Sequence, residues 1–164
     1  MTRAFFVYPG LGKTTLARAD DRFADIETRM FKDMNLSHLA PGDDYPAGFR
    51  GSPLGPLNPE FPENVRKYAR EKLDAGKVLL FVPKQDSYDN AHAIGVDEFV
   101  FIMPSAARLE QLVADYKSRG ENAEYINRNQ STRYESALND AAGHEIIFLE
   151  PGEYLGDVIN RLLK

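Results

Sequence analysis

The stretch of residues 4–17 constrains the fold of this chain more than any other part of the sequence. Residues 4–8 (Ala-Phe-Phe-Val-Tyr) are apolar, as in a strand that is buried on both faces. The next seven residues, Pro-Gly-Leu-Gly-Lys-Thr-Thr, place two glycines directly before a helical segment. Backbone N–H groups of such a turn and of the following helix can converge on an anion. The pattern therefore predicts a strand, a phosphate-binding loop and a helix.

The predicted loop assigns roles to individual side chains. Lys13 would reach the β- and γ-phosphates of a nucleoside triphosphate, and the Thr14 hydroxyl would ligate Mg²⁺. The residues expected to contact this cofactor are Pro9, Gly10, Leu11, Gly12, Lys13, Thr14 and Thr15. An ordinary glycine turn with a surface lysine is the alternative interpretation. One departure from the eight-residue pattern is Val7, which stands where its first glycine is expected.

Composition limits the classes of protein to which the chain can belong. The 164 residues are 43% hydrophobic and 27% charged, which is typical of a globular protein and predicts a single domain over residues 1–164. The absence of cysteine excludes disulfides and thiolate sites. No apolar run reaches the roughly 20 residues of a membrane span, and residues 1–3 leave no room for a signal peptide, so we expect a cytoplasmic protein without a membrane partner. The net charge of −5 disfavours non-specific nucleic-acid binding as the main function.

The rest of the chain alternates strands with helices. Strands are predicted at residues 23–26, 77–83, 98–103 and 145–149, and helices at residues 28–35, 63–75, 87–94, 105–118, 121–142 and 154–163. Thr28 is predicted to cap the first of these helices. The alternation predicts an α/β fold, a three-layer sandwich around a parallel sheet. Residues 40–62, rich in proline and glycine, are predicted to form an irregular insertion, a type of segment that often serves as a lid or binding loop.

Carboxylates lie at the end of the second predicted strand. Ligands of parallel sheets bind at the carboxyl ends of the strands, where the predicted phosphate loop also lies. Asp25 and Glu27 are therefore candidates to hold Mg²⁺ or to accept the proton of an acceptor hydroxyl, although acids at strand ends are also common as exposed loop residues. The third strand runs into Pro83 and Lys84 without an acid, and Asp86 is the nearest carboxylate. This favours a small kinase whose acids come from the second strand, or a protein that binds nucleotide without hydrolysing it.

Two further groups are candidates for contacts with a substrate. Arg128 and Arg133 lie in a polar stretch at about residues 120–133. They could stabilise a transferred phosphoryl group, or belong to a solvated helix with salt bridges. Phe49 and Arg50 lie in the insertion near Tyr45, where such side chains can stack on a base or simply pack the loop.

These features together resemble the P-loop kinases related to adenylate kinase and other nucleoside monophosphate kinases. Among these, the chain most resembles the small adenylate-kinase-like proteins encoded by phages and prophages. The resemblance rests on residues 8–15, 23–28 with Phe31, 77–83, 99–104 with Leu109, 116–119, 146–149 and 152–155, and it covers nearly the whole chain except residues 40–62. It implies a P-loop sandwich with a five-stranded parallel sheet of order 2-3-1-4-5. It also implies a lid that contains or adjoins Arg128 and Arg133.

We therefore expect a phosphotransferase that uses ATP and Mg²⁺ and acts on a nucleoside or nucleotide. The predicted catalytic residues are Lys13, Asp25, Arg128 and Arg133. The predicted metal ligands are Thr14 and Asp25. The acceptor is expected to contact Asp25, Glu27, Phe49 and Arg50. A kinase of polynucleotide 5′-hydroxyl ends and a nucleotide-binding accessory protein without turnover are the alternatives.

Overall fold

Residues 4–46 and 48–164, the part of the chain that a computed structural model describes, are built around one parallel sheet. Its strands are β1 Ala4–Val7, β2 Phe23–Ile26, β3 Val78–Phe81, β4 Val100–Pro104 and β5 Glu145–Leu149. Every neighbouring pair is parallel, and the spatial order is β2-β3-β1-β4-β5. The predicted α/β class and the predicted strand order are confirmed.

Helices fill the connections between the strands. They are α1 Lys13–Ala19, α2 Thr28–Lys32, α3 Glu63–Asp74, α4 Gln85–Ala93, α5 Ala106–Ser118, α6 Ala123–Gln130, α7 Thr132–Asp140 and α8 Leu155–Leu162. The step from β1 to β2 crosses the sheet in the opposite direction to the later steps, so right-handed crossovers place α1 on one face and α3 and α4 on the other. Contacts of α1 with α8, and of α3 with α4, are consistent with a three-layer sandwich. None of the helices in the described part has the length and apolar character needed to cross a bilayer.

The start of α2 differs from the prediction. Thr28 was expected to cap this helix, but it is the first helical residue, and Glu27 takes the cap position with an extended backbone. The Thr28 side chain is buried, and its hydroxyl lies 3.2 Å from the hydroxyl of Ser87 in α4. A tertiary contact thus replaces the local cap. The helix also ends at Lys32, three residues earlier than predicted.

The core is centred on β1. Phe6 is fully buried, and its ring stacks on Phe81 of β3 and Phe101 of β4 at centroid distances of 5.3 and 5.4 Å. All four residues of β1 are inaccessible to solvent. Because tightly packed aromatic side chains hold this strand, the turn that follows it starts from a fixed point.

The insertion at residues 40–62 folds back toward the carboxyl edge of the sheet. Its described residues form no helix and no strand longer than an isolated bridge. Arg18 of α1 donates a hydrogen bond to the Gly42 carbonyl. Arg29 of α2 donates a 3.0 Å hydrogen bond to the Ser52 hydroxyl. Two helices that begin at this edge therefore hold the insertion in place.

Candidate functional site

The turn between β1 and α1, which we call the glycine turn (residues 8–12), lies at the carboxyl end of the central strand. Gly10 and Gly12 have φ values of 88° and 93°, in the left-handed region that residues with a side chain rarely adopt. At Gly10 a Cβ would also overlap with the Tyr116 hydroxyl. The two glycines are therefore required by the backbone, and at Gly10 also by the close approach of α5.

A cavity of about 290 Å³ opens over the glycine turn. Seven cationic side chains line it: Lys13, Arg29, Arg50, Lys84, Arg119, Arg128 and Arg133. Among the described lining residues Glu27 is the one carboxylate. The cavity is therefore strongly positive, although the whole chain has a net charge of −5. Such a concentration of one sign of charge in a concave site attracts a polyanion.

The structure brings most of the predicted site residues to this cavity. Ten of the thirteen line it: Pro9, Gly10, Gly12, Lys13, Thr14, Thr15, Glu27, Arg50, Arg128 and Arg133. Leu11 is instead buried in the hydrophobic core. Phe49 does not line the cavity either, since its ring lies beside the guanidinium of Arg29 at 4.6 Å. Asp25 is buried behind two lining residues, and its contacts decide the geometry of the cavity floor.

Asp25 joins β2 to the start of α1. Its carboxylate forms an ion pair with the Lys13 ammonium and accepts a 2.6 Å hydrogen bond from the Thr14 hydroxyl. Lys13 and Asp25 are each only 7% exposed. Because the Thr14 hydroxyl donates its proton to Asp25, its oxygen lone pairs remain available to a cation. The predicted group of Lys13, Thr14 and Asp25 is thus assembled side by side.

The strand β3 supplies no carboxylate to this group. It is followed by Val82, Pro83 and Lys84, of which Val82 and Lys84 line the cavity. Asp86 is ion-paired with Lys32 at 2.6 Å and does not line the cavity. The carboxylate that accepts the threonine hydrogen bond comes from β2 at the sheet edge.

Glu27 is the carboxylate that faces the cavity. Its Oε2 lies 3.7 Å from the Lys13 ammonium. Burial opposes its ionisation, but the charges of Lys13 and Lys84 outweigh burial and hold the pKa of Glu27 below its ordinary value. The pKa of Lys84 is lowered, because burial together with neighbouring cations outweighs the attraction of Glu27. Glu27 is therefore ionised at neutral pH.

Two polar groups are buried in the same wall. The Arg29 Nε bonds to none of the described residues, whereas the Tyr45 hydroxyl lies beside the Glu27 carboxylate. Burial and the nearby Glu27 charge raise the pKa of Tyr45, so its phenol keeps its proton and remains a donor. Buried polar groups without partners are rare in folded proteins, and in cavity-lining residues they indicate a ligand.

The opposite wall is formed by α5, α6 and α7. Arg133 donates a 3.1 Å hydrogen bond to Asn129 Oδ1, and its guanidinium lies 5.9 Å from the ring centre of Tyr125. Arg119 lies over the ring of Tyr116 at 5.3 Å. Neither arginine has a carboxylate within 4.0 Å in the described residues. Their positive charge is therefore not neutralised by the protein.

Sequence reasoning missed several residues of the cavity. Lys84 comes three residues after the end of β3, so the rule that ligands bind at the carboxyl ends of strands places it at this edge, but it was not selected as a site residue. Arg29 carries a weaker signal, its position two residues after Glu27. No sequence signal points to Tyr125, because it reaches the cavity only through the packing of α6 against α5.

Comparison with known proteins adds no family assignment. A scan against protein-family models and a search of curated proteins found no match to this chain. The resemblance to P-loop kinases therefore stays a prediction, and the function is inferred from the cavity.

Proposed function

We propose that this protein binds ATP with Mg²⁺ and transfers the γ-phosphoryl group to a nucleotide. The convergence of seven cations on the glycine turn carries the proposal. Four of them, Arg50, Lys84, Arg119 and Arg133, have no carboxylate within 4.0 Å among the described residues. Unpaired cations in a half-enclosed cavity repel one another and are poorly solvated, and a bound polyphosphate relieves both effects.

The floor of the cavity supports the position of the triphosphate. Lys13 is held there by Asp25, directly after the two left-handed glycines. Pro9, Gly10 and Gly12 line the cavity, so the backbone of the glycine turn lies against its contents. A lysine beside a tight glycine turn is the arrangement that cradles nucleotide phosphates.

The oxygen donors beside Lys13 suit Mg²⁺. The Thr14 hydroxyl and the Asp25 carboxylate are hard oxygens 2.6 Å apart. Mg²⁺ keeps several of its waters and takes further ligands from phosphates, so few protein donors are needed. Thr14 would ligate the ion, with Asp25 orienting the hydroxyl. When bound, Mg²⁺ would neutralise charge on the phosphates.

The two walls of the cavity would contact different groups, one the transferred phosphoryl group and the other the acceptor. Arg119, Arg128 and Arg133 on the α5–α7 wall would stabilise the charge on the transferred group. Arg29, Arg50 and Lys84 lie on the β2–β3 side and in the insertion, where the acceptor would bind. Cations at that place favour an acceptor with a phosphate of its own over a neutral nucleoside. Glu27 would accept a hydrogen bond from the same acceptor.

Phosphoryl transfer from labelled ATP tests the proposal. The purified protein is incubated with γ-³²P-ATP, Mg²⁺ and, separately, nucleosides, nucleoside monophosphates and a 5′-hydroxyl oligonucleotide. We expect labelled product with at least one nucleoside monophosphate. We expect none with the double variant Lys13→Met/Asp25→Asn, which removes both charges of the buried pair. Binding of ATP without any product would instead favour an accessory protein, and product only with the oligonucleotide would favour a polynucleotide kinase.

A further inference from the structure

Three neutral, buried side chains connect the glycine turn with the arginines of the α5–α7 wall. They are Tyr116, Tyr125 and Asn129, which we call the arginine scaffold. Tyr116 donates a 3.3 Å hydrogen bond to the Pro9 carbonyl. Its hydroxyl also fills the space that a Cβ at Gly10 would need. The scaffold is therefore in direct contact with the turn over which the cavity opens.

The other end of the scaffold holds the two arginines. The rings of Tyr116 and Tyr125 meet edge to face at 5.5 Å, and Arg119 lies over the first of them. Asn129 is fully buried, and both polar atoms of its side chain form hydrogen bonds. Its Nδ2 donates a 2.7 Å hydrogen bond to the Tyr125 carbonyl, and its Oδ1 accepts from Arg133 at 3.1 Å.

Asn129 is also tied to the central strand side of the cavity. Its backbone carbonyl accepts a hydrogen bond from the Tyr8 hydroxyl in the glycine turn. A buried amide is unfavourable unless its polar atoms are paired, and here both side-chain atoms are paired. One of the two partners is a cavity arginine, so the amide fixes Arg133 as well as the helix.

The chemistry of the scaffold explains why the arginines keep their charge. A carboxylate would hold a guanidinium more strongly, but it would also neutralise it. An aromatic ring and an amide oxygen restrict the orientation of a guanidinium and leave the net charge unchanged. Arg128, by contrast, is held by a carboxylate, since its guanidinium lies 3.4 Å from Glu124 Oε1.

We propose that Tyr116, Tyr125 and Asn129 are positioning residues of a phosphotransferase site. They hold Arg119 and Arg133 against the cavity with uncompensated charge, and they couple both arginines to the glycine turn. The inference rests on the proposed function, because the arginines act on the transferred phosphoryl group. Removal of the scaffold should therefore lower kcat much more than it changes the KM for ATP.

Asn129→Leu, alone and combined with Arg133→Gln, tests the arginine side. We expect Asn129→Leu to lower kcat by about 10²-fold, which is the effect of a misplacement of about 1 Å, with a small change in KM. In the Arg133→Gln background the same substitution should have little further effect on kcat, because the group it positions is gone. Independent, multiplicative losses would overturn the proposal. If Asn129→Leu does not fold, Tyr125→Leu is tested in the same cycle with the same expectation.

A suppressor pair tests the link to the glycine turn. Gly10→Ala should weaken the thermal stabilisation by MgATP, because the new methyl group collides with the Tyr116 hydroxyl. Tyr116→Phe removes that hydroxyl and leaves the ring carbon Cζ 3.2 Å from the methyl position, so it should restore part of the stabilisation. The matched control is Tyr134→Phe, which removes a hydroxyl bonded to the Pro104 carbonyl at 2.9 Å and should restore none. An equal loss in all three backgrounds would contradict the coupling.

The two proposals fail in different ways. If wild-type protein shows neither ATP-dependent stabilisation nor turnover, the proposed function is wrong. If wild-type protein binds and turns over ATP but the Asn129 and Arg133 effects are independent, the function stands and the scaffold proposal is wrong.

Discussion

The two walls of the cavity hold their cations in opposite ways. On the side formed by the end of β2 and the start of α1, which we call the β2 wall, Lys13 is paired with Asp25 and lies near Glu27. On the α5–α7 wall, Arg119 and Arg133 are held by tyrosine rings and an amide. The charge of Lys13 is therefore balanced by carboxylates, whereas Arg119 and Arg133 keep their positive charge.

This difference matches two separate electrostatic tasks. A metal ion can approach the β2 wall because carboxylates balance the lysine there. Charge that develops on a transferred group is best stabilised by donors that are already oriented and not neutralised. The asymmetry therefore predicts that substitutions on the β2 wall act through the bound nucleotide (Lys13) or the bound metal (Asp25). Substitutions on the α5–α7 wall should lower the rate of transfer and leave the binding of ATP and metal nearly unchanged.

Removal of Lys13 should have the largest effect. In wild-type protein, ATP at about 100 times its Kd should add about 2.7 kcal/mol to the free energy of unfolding. Lys13→Ala should lose this stabilisation, measured as the shift in Tm with MgATP. The variant should also unfold more easily without ligand, because Asp25 is left buried without its partner. The control Lys13→Met/Asp25→Asn should recover the intrinsic stability but not the ATP response. A response equal to that of wild type in Lys13→Ala would remove the glycine turn from the site.

Asp25→Asn should separate metal-dependent turnover from nucleotide binding. The amide can still accept the Thr14 hydrogen bond, but the negative charge beside the metal position is lost. We expect kcat to fall on the order of 10³-fold, while Kd for ATP, measured by calorimetry, changes only a few-fold. A near-wild-type kcat would show that the required carboxylate is another one, with Glu27 the first candidate.

A comparison of Arg133→Gln with Arg128→Gln sharpens the contrast between paired and unpaired arginines. Arg133 has no carboxylate partner in the described structure, whereas Arg128 is paired with Glu124. We expect kcat to fall about 10²-fold for Arg133→Gln and clearly less for Arg128→Gln. The control for loss of one positive charge is Arg161→Gln, since Arg161 of α8 is exposed, is paired with Glu153 and does not line the cavity. A larger effect at Arg128 than at Arg133 would reverse the interpretation of the two walls.

The smallest predicted effect is the contribution of Glu27 to the pH dependence of stability. The folded pKa of Glu27 is lowered, so its ionised form stabilises the folded state. This contribution is fully present above the ordinary pKa of 4.5 and is lost as the pH falls through the lowered folded value. The difference in free energy of unfolding between wild type and Glu27→Gln, measured with urea from pH 7 to pH 3, should therefore shrink toward the acid end. A difference that grows with acidity would contradict the predicted electrostatics.

Much of the β2 wall could be predicted from local pattern. Lys13 and Thr14 follow a glycine turn at the end of an apolar strand, and Asp25 lies in the next strand of the same edge. In the structure, Asp25 contacts both Lys13 and Thr14. The lid-like role of residues 120–133 stays a prediction, because helix formation there does not reveal how the segment moves.

The α5–α7 wall was predicted less well, for a physical reason. Arg128 and Arg133 are cations of one polar segment, and the four-residue spacing between Glu124 and Arg128 already favours an ion pair in a helix. The sequence does not indicate which neutral groups hold Arg133. Glu124 pairs with Arg128 through the turn of one helix, while the partners of Arg133 depend on how α6 packs. Tyr125 and Asn129 were missed because a tyrosine and an asparagine in a helix carry no local signal of burial.

The sequence by itself determined the order of strands and helices, the parallel sheet and the glycine turn, because periodicity and backbone requirements act between neighbouring residues. Only the tertiary structure decided which cations keep their charge. That outcome depends on contacts between distant segments, such as the hydrogen bond of Tyr116 to the Pro9 carbonyl. The tertiary structure also explains why Thr28 contacts Ser87 in the interior instead of capping α2 as predicted. Charge compensation is a property of distances in space, and local sequence does not encode these distances.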